Sequence, residues 1–169
     1  MARTRYEIRA EKFARQLSKM FEGCVYRIDF MRKIAEYNRT HVRKLRYDYG
    51  VSRIAIIRSD YVIKFDYQAV DRWADGRAGN CMKEEEVYKK AVRDGMEYLL
   101  AKTKVLHLNG LTCSIMPKIN HVNDDRRNWR DYCTCDEFRW LVSNLCDLHW
   151  GNVGYRNRKV CVIDYAFVM

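Results

Sequence analysis

The stretch Asp147–Asp164, reading D-L-H-W-G-N-V-G-Y-R-N-R-K-V-C-V-I-D, limits what this chain can fold into more than any other. Asp147 and Asn152 stand five positions apart, and a hairpin pattern follows at once. Val153–Tyr155 reads as one strand, Arg156-Asn157-Arg158 as the turn and Lys159–Ile163 as an apolar second strand. Asp164 falls where that second strand ends. An acid, an amide and a second acid are thus fixed on one small loop-and-hairpin unit. Phosphoryl transfer uses such a set. One acid orients or deprotonates the acceptor, an amide oxygen holds a metal ion, and a second carboxylate reaches that metal from a strand end.

Length and composition set the frame for this unit. A chain of 169 residues is one domain by size, and it buries roughly 70% of its unfolded surface. Its 48% hydrophobic and 13% aromatic content excludes a disordered chain. No run approaches the ~20 apolar residues of a membrane helix, and Met-Ala-Arg-Thr-Arg-Tyr lacks the apolar core of a signal peptide. The expected location is therefore the cytoplasm, with no membrane partner and with the seven cysteines as reduced thiols. The net charge of +10 suits a polyanion such as nucleic acid, or simply a solvated basic face beside a nucleotide pocket.

Two helices open the chain. In Arg5–Phe21, Ile8, Phe13, Leu17 and Met20 or Phe21 recur near helical spacing, and Glu22-Gly23 is the stop. In Tyr26–Tyr37, Ile28, Met31, Ile34 and Ala35 share a face, with Asp29 placed to support Arg32 or Lys33. The expectation is that both brace a sheet; a basic docking surface is the other use. Strands follow at Val42–Tyr47, Arg53–Arg58 and Tyr61–Asp66, with turns at Asp48-Tyr49-Gly50 and Ser59-Asp60. Thr103–Leu108 and Leu111–Met116 flank Asn109-Gly110, the strongest short hairpin signal in the chain, and complete a five-stranded antiparallel sheet.

Gln68–Asn80 reads as a loop, and Cys81–Asp94 as a helix ended by Gly95. Val87, Tyr88 and Ala91 define its apolar stripe. At 100° per residue, Glu84 lies in the middle of that stripe, Glu85 at its edge and Glu86 behind. A carboxylate on a buried face demands a cation; all three glutamates also suit a helix N-terminus through its dipole. Asn120–Tyr132 is a polar loop or short helix. Thr134-x-x-Glu137 is a capping box for a helix that buries Phe138, Leu141, Val142 and Leu145. Cys133-x-Cys135 lacks a second pair at ligand spacing, so zinc is not expected, and Cys113, Cys146 and Cys161 read as core.

D-L-H-W-G-N followed by V-I-D-Y resembles the catalytic loop and metal-binding strand of the protein-kinase-like superfamily, closest to its aminoglycoside and choline phosphotransferases. Val62–Phe65, V-I-K-F, resembles the strand whose lysine contacts the nucleotide phosphates, with a small apolar residue two positions earlier lining the adenine pocket. Alone, Lys64 reads equally as a solvent-facing lysine. The chain departs from protein kinases in having only Gly50 in the turn that is glycine-rich there, and Leu145 where most of the superfamily has histidine. The resemblance spans roughly Val42–Asp164, and only five residues follow, so no activation segment or helical substrate lobe is expected. Small phage-encoded kinase-like proteins are similar in this respect.

The resemblance implies a single α+β kinase-like domain over 1–169: N-terminal helices over 1–40, a sheet lobe with one packed helix over 41–118, and a truncated catalytic-loop lobe over 119–169. A nucleotide would lie between the lobes. Asp147 is then the base or orienting acid, and Lys64, fixed by Glu84 (or by Glu85), neutralises phosphate charge. Asn152 and Asp164 hold Mg²⁺, while Val62, Met116, Pro117 and Lys118 line or hinge the ATP site. Three functions stay open. One is a compact ATP- and Mg²⁺-dependent phosphotransferase, phage-encoded and acting in the host cytoplasm. Another is a catalytically weak kinase-like protein that docks a host or viral partner. The last is a basic nucleic-acid-binding protein.

Overall fold

Helix α1 (Arg5–Met20) opens with a capping box: Thr4 Oγ1 accepts from the Glu7 N–H at 3.4 Å, and the Glu7 carboxylate accepts from the Thr4 N–H at 2.6 Å. Its buried stripe is Ala10, Ala14, Leu17 and Phe21, together with Glu7, Glu11 and Ser18. Ile8, expected on that face, is 56% exposed. The reason is that partnered carboxylates occupy its place. Glu7 holds the cap, and Glu11 binds the Lys104 ammonium at 2.5 Å. Helix α2 (Arg27–Thr40) also turns a different face inward from the one expected: Phe30 and Ile34 are buried, Ile28 is 58% exposed and Ala35 is exposed. The Asp29 carboxylate accepts the backbone N–H groups of Tyr26 at 2.9 Å and Val25 at 3.1 Å, which hold it below the usual carboxylate range.

The computed structural model describes residues 4–68, 80–121, 129–157 and 159–165. Among these it is α+β, with four α-helices and a five-stranded antiparallel sheet, as the sequence predicts. None of these helices is long and apolar enough to cross a membrane. The chain divides into two compact units, Met1–Cys81 with Lys104–Lys118, and Met82–Thr103 with Ile119–Met169.

The first unit holds the five-stranded sheet: β1 (Arg46–Tyr49), β2 (Arg53–Ile57), β3 (Tyr61–Asp66), β4 (Lys104–Leu108) and β5 (Leu111–Pro117), in the order β1-β2-β3-β5-β4. Strand β1 starts later than expected and runs through Asp48 and Tyr49; the turn is displaced, with the Gly50 N–H donating to the Arg53 carbonyl at 2.9 Å. Asn109 and Gly110 adopt φ of 51° and 75°, the pair of left-handed positions that a two-residue hairpin requires. One face of the sheet, with Ile54, Ile56, Ile63, Phe65, Cys113 and Ile115, packs under α1 and α2. Phe21 anchors that core, 4.8 Å from Phe30 and 5.2 Å from Phe65 by ring centroids. The two N-terminal helices therefore brace the sheet.

In the second unit, α3 (Asn80–Asp94), whose first residues belong to the first unit, ends at Gly95 with φ of +71°. It is followed by α4 (Cys135–Asn144) and a small sheet of β6 (Asn120–His121), β7 (Val153–Arg156) and β8 (Lys159–Val162). The β7–β8 hairpin was legible in the sequence; β6 was not. Thr134 and Glu137 form the expected capping box, at 2.7 and 3.2 Å. Leu141 and Leu145 are buried, but Val142 and Cys146 are exposed, against expectation. The buried stripe of α4 is Glu137, Leu141 and Leu145, because Glu137 has a donor of its own, the Tyr98 hydroxyl at 2.8 Å. Most of the expected Gln68–Asn80 loop and the middle of the Asn120–Tyr132 segment lie outside the described residues.

Candidate functional site

The second unit brings Asp147, Asn152 and Asp164 to one corner. Asn152 Nδ2 donates to the Asp147 carbonyl at 3.0 Å and to its carboxylate at 3.3 Å, closing the loop on itself. The Asn152 carbonyl accepts the Ile163 N–H at 2.9 Å, in continuation of the Val153–Val162 pairing of β7 and β8. Asp164 is the next residue, so the hairpin ties the second acid to the amide that orders the first. With Nδ2 committed, the other side-chain atom of Asn152, Oδ1, is of the right kind for a hard cation.

Two glycines of this segment sit in close quarters. A Cβ at Gly151 would stand 2.7 Å from the His149 ring, whose Nδ1 accepts the Gly151 N–H at 3.0 Å. A Cβ at Gly154 would stand 2.7 Å from the Asn120 carbonyl oxygen across β6–β7. His149 Nε2 lies 3.6 Å from the Asp147 carboxylate. Asp147 itself is exposed.

Beneath Asp164 lies a clamp that sequence reasoning missed. Tyr165 is buried, and its hydroxyl bonds the Thr103 hydroxyl at 2.6 Å and the Ala101 carbonyl. The Ala101 N–H donates to the Val162 carbonyl at 2.8 Å. Burial, and after it the nearby Glu84 carboxylate, pushes the Tyr165 phenol well above its ordinary range, so it remains a neutral donor. The tyrosine of V-I-D-Y was the only hint of this; its partners sit more than sixty positions away.

In the first unit, the sheet face opposite α1 and α2 carries the other candidates. Arg46, Ile57, Val62 and Met116 form one cross-strand row, and Asp48, Ala55, Lys64 and Ser114 the next. Lys64 is only 7% exposed, which removes the solvent-facing reading of that residue. Pro117 ends β5 opposite Tyr61, and the Lys118 N–H donates to the Asp60 carbonyl at 3.0 Å.

Helix α3 starts against β3. The Cys81 N–H lies 3.2 Å from both Asp66 carboxylate oxygens, and its thiol 3.5 Å from the Lys64 carbonyl. One turn further, Glu84 is fully buried, Glu85 half-buried and Glu86 exposed, in the order the helical wheel gives. A group of three or more His, Cys, Asp or Glu side chains able to hold a metal does not occur among the described residues.

No protein-family model, no curated protein and no solved structure matches this chain.

Proposed function

We propose that this chain is a compact ATP- and Mg²⁺-dependent phosphotransferase of protein-kinase-like fold. The observation that carries the reading is the corner in which Asn152 binds the Asp147 carbonyl and carboxylate while its own carbonyl holds the strand end bearing Asp164. In this reading Asp147 orients the acceptor and takes its proton, and Asn152 and Asp164 hold the metal. Mg²⁺ would supply neutralisation of the charge on the phosphates. Lys64, kept out of bulk water on the sheet face it shares with Val62 and Met116, adds a second positive charge for phosphate. Glu84, buried on α3, is the proposed counter-charge of Lys64, and the adenine is proposed to lie along the Val62–Met116 row. Phosphoryl transfer is chiefly positioning and charge neutralisation, which this set of residues suits.

The test is thermal unfolding with Mg²⁺-ATP. A ligand of the folded state stabilises by mass action, roughly 2.7 kcal/mol at a hundredfold excess over Kd. Asp164→Ala is expected to abolish the Mg²⁺-dependent part of the shift. No shift at several millimolar nucleotide, with or without metal, refutes the reading.

A further inference from the structure

A second feature of the first unit shares only Lys118 with the phosphotransferase reading and does not depend on it. Lys44, Arg46, Ile57, Arg58, Ser59 and Lys118 line a cavity of about 280 Å³ at one end of the sheet. Four of the six residues are cations, and among the described residues none of the four is held in an ion pair. The nearby carboxylate, Asp60, is turned to Arg9 instead. Arg58 rests its guanidinium 4.8 Å above the Phe13 ring, and the Lys44 ammonium caps the Asn38 carbonyl, so both of these charged heads already have partners at the rim of the hollow. Arg46 and Lys118 leave two like charges at one hollow whose rim carries two more cations, and a bound anion relieves their repulsion.

Two further facts select the anion. The cavity lies at or below the ~300 Å³ lower end of small-ligand pockets, and its lining is polar rather than apolar. It suits one or two phosphate groups of a ligand that continues beyond it. It also borders β1, an edge strand exposed along its whole length. Arg46 projects from β1 into the cavity, while Tyr47 and Tyr49, 37% and 48% exposed, project to the strand's other side with ring centroids 6.4 Å apart. Arg27 lies 5.5 Å over the Tyr49 ring. Cations for a phosphate backbone beside exposed aromatic rings are the combination that binds unpaired bases.

The geometry points to a single-stranded nucleic-acid site on the β1 edge, with phosphates in the Lys44–Arg46–Arg58–Lys118 cavity and bases stacked on Tyr47 and Tyr49.

The experiment is fluorescence anisotropy of the full chain with a labelled 12-mer oligouridylate, titrated over a range of salt. Arg46→Glu/Arg58→Glu is expected to weaken binding at least tenfold at 100 mM salt and to flatten log K against log[salt] by about 1.4, at ~0.7 per lost phosphate contact. Should that variant misfold by circular dichroism, Lys44→Glu/Lys118→Glu carries the same expectation. Arg139→Glu/Lys89→Glu changes net charge equally on the second unit and is expected to stay within twofold of native in affinity. Tyr47→Ala/Tyr49→Ala is expected to cost at least about fivefold for the single strand, with the salt slope unchanged. The proposal is overturned if the control weakens binding as much as the cavity variants, or if a duplex of the same length binds as tightly as the single strand. It is also overturned if inorganic triphosphate competes as well as the oligonucleotide, which would make the site one for small phosphates.

Discussion

Removing one oxygen atom, in Tyr165→Phe, tests how the strand end carrying Asp164 is held. The Tyr165 hydroxyl joins two partners that are otherwise buried, Thr103 Oγ1 at 2.6 Å and the Ala101 carbonyl. A buried polar group left unsatisfied costs about 1–3 kcal/mol. Here the low half of that range applies, because Thr103 Oγ1 also donates to the Ala101 carbonyl at 3.3 Å and retains that acceptor. The aromatic ring and its packing are unchanged. The expected loss is therefore about 1–2 kcal/mol, read as a shift in the urea midpoint with m unchanged, or a fall in Tm of about 2–8 °C for a chain of this size. A double-mutant cycle with Thr103→Val is expected to show coupling of at least ~0.5 kcal/mol, as for residues in one hydrogen-bond network. The variant also has a pH signature. The folded-state phenol of Tyr165 is raised well above its ordinary value. Its contribution is thus fully present below the unfolded tyrosine pKa of ~10 and is lost as pH rises beyond it. Tyr165→Phe is expected to be less stable than native at pH 7 and to lose less on going to pH 11. A variant within ±0.5 kcal/mol of native at pH 7, with an unaltered alkaline arm, refutes the clamp.

Two other outcomes follow from the fold. The Glu137 carboxylate is held low, first by the Thr134 N–H and then by the Tyr98 hydroxyl, so its contribution is present above the unfolded glutamate pKa of ~4.3 and is lost as pH falls below it. Glu137→Gln is expected to flatten the acid arm of stability against pH and to cost about 1 kcal/mol at pH 7, measured by urea unfolding at stepped pH. Gly110→Ala meets no atom within 4 Å but must adopt φ of +75°, so a purely conformational cost of about 1–2 kcal/mol is expected from the same assay.

The hairpins and the order of burial on α3 were readable because each rests on a local rule. Asn109-Gly110 supplies two left-handed residues, and a 100° rotation puts Glu84, Glu85 and Glu86 at decreasing depth. The bonds that close the Asp147–Asn152 loop were not read from the sequence, although they join residues only five positions apart. What failed was the choice of face on α1, α2 and α4. A hydropathy stripe counts carboxylates as solvent-facing, whereas Glu7, Glu11 and Glu137 are buried with Thr4, Lys104 and Tyr98 as partners, and Ile8 and Val142 are displaced outward. On α2, the pull of Phe30 into the Phe21–Phe65 cluster outweighs the aliphatic stripe through Ile28. The Tyr165 clamp and the basic hollow on β1 join residues far apart in the chain, and no local pattern marks either.

The most direct test of phosphoryl transfer is Asp147→Asn, assayed by transfer of labelled γ-phosphate from Mg²⁺-ATP to the protein itself, to cell lysate and to small aminoalcohols. The substitution keeps the size of the side chain and removes its charge at an exposed position that is not a proposed metal ligand. The account predicts transfer by the native chain, a fall of about 10²–10⁴ in the variant, as for loss of a positioned general base, and nucleotide affinity within a few-fold of native. A native chain that binds Mg²⁺-ATP yet transfers to none of these acceptors, or an Asp147→Asn variant that transfers at the native rate, contradicts it.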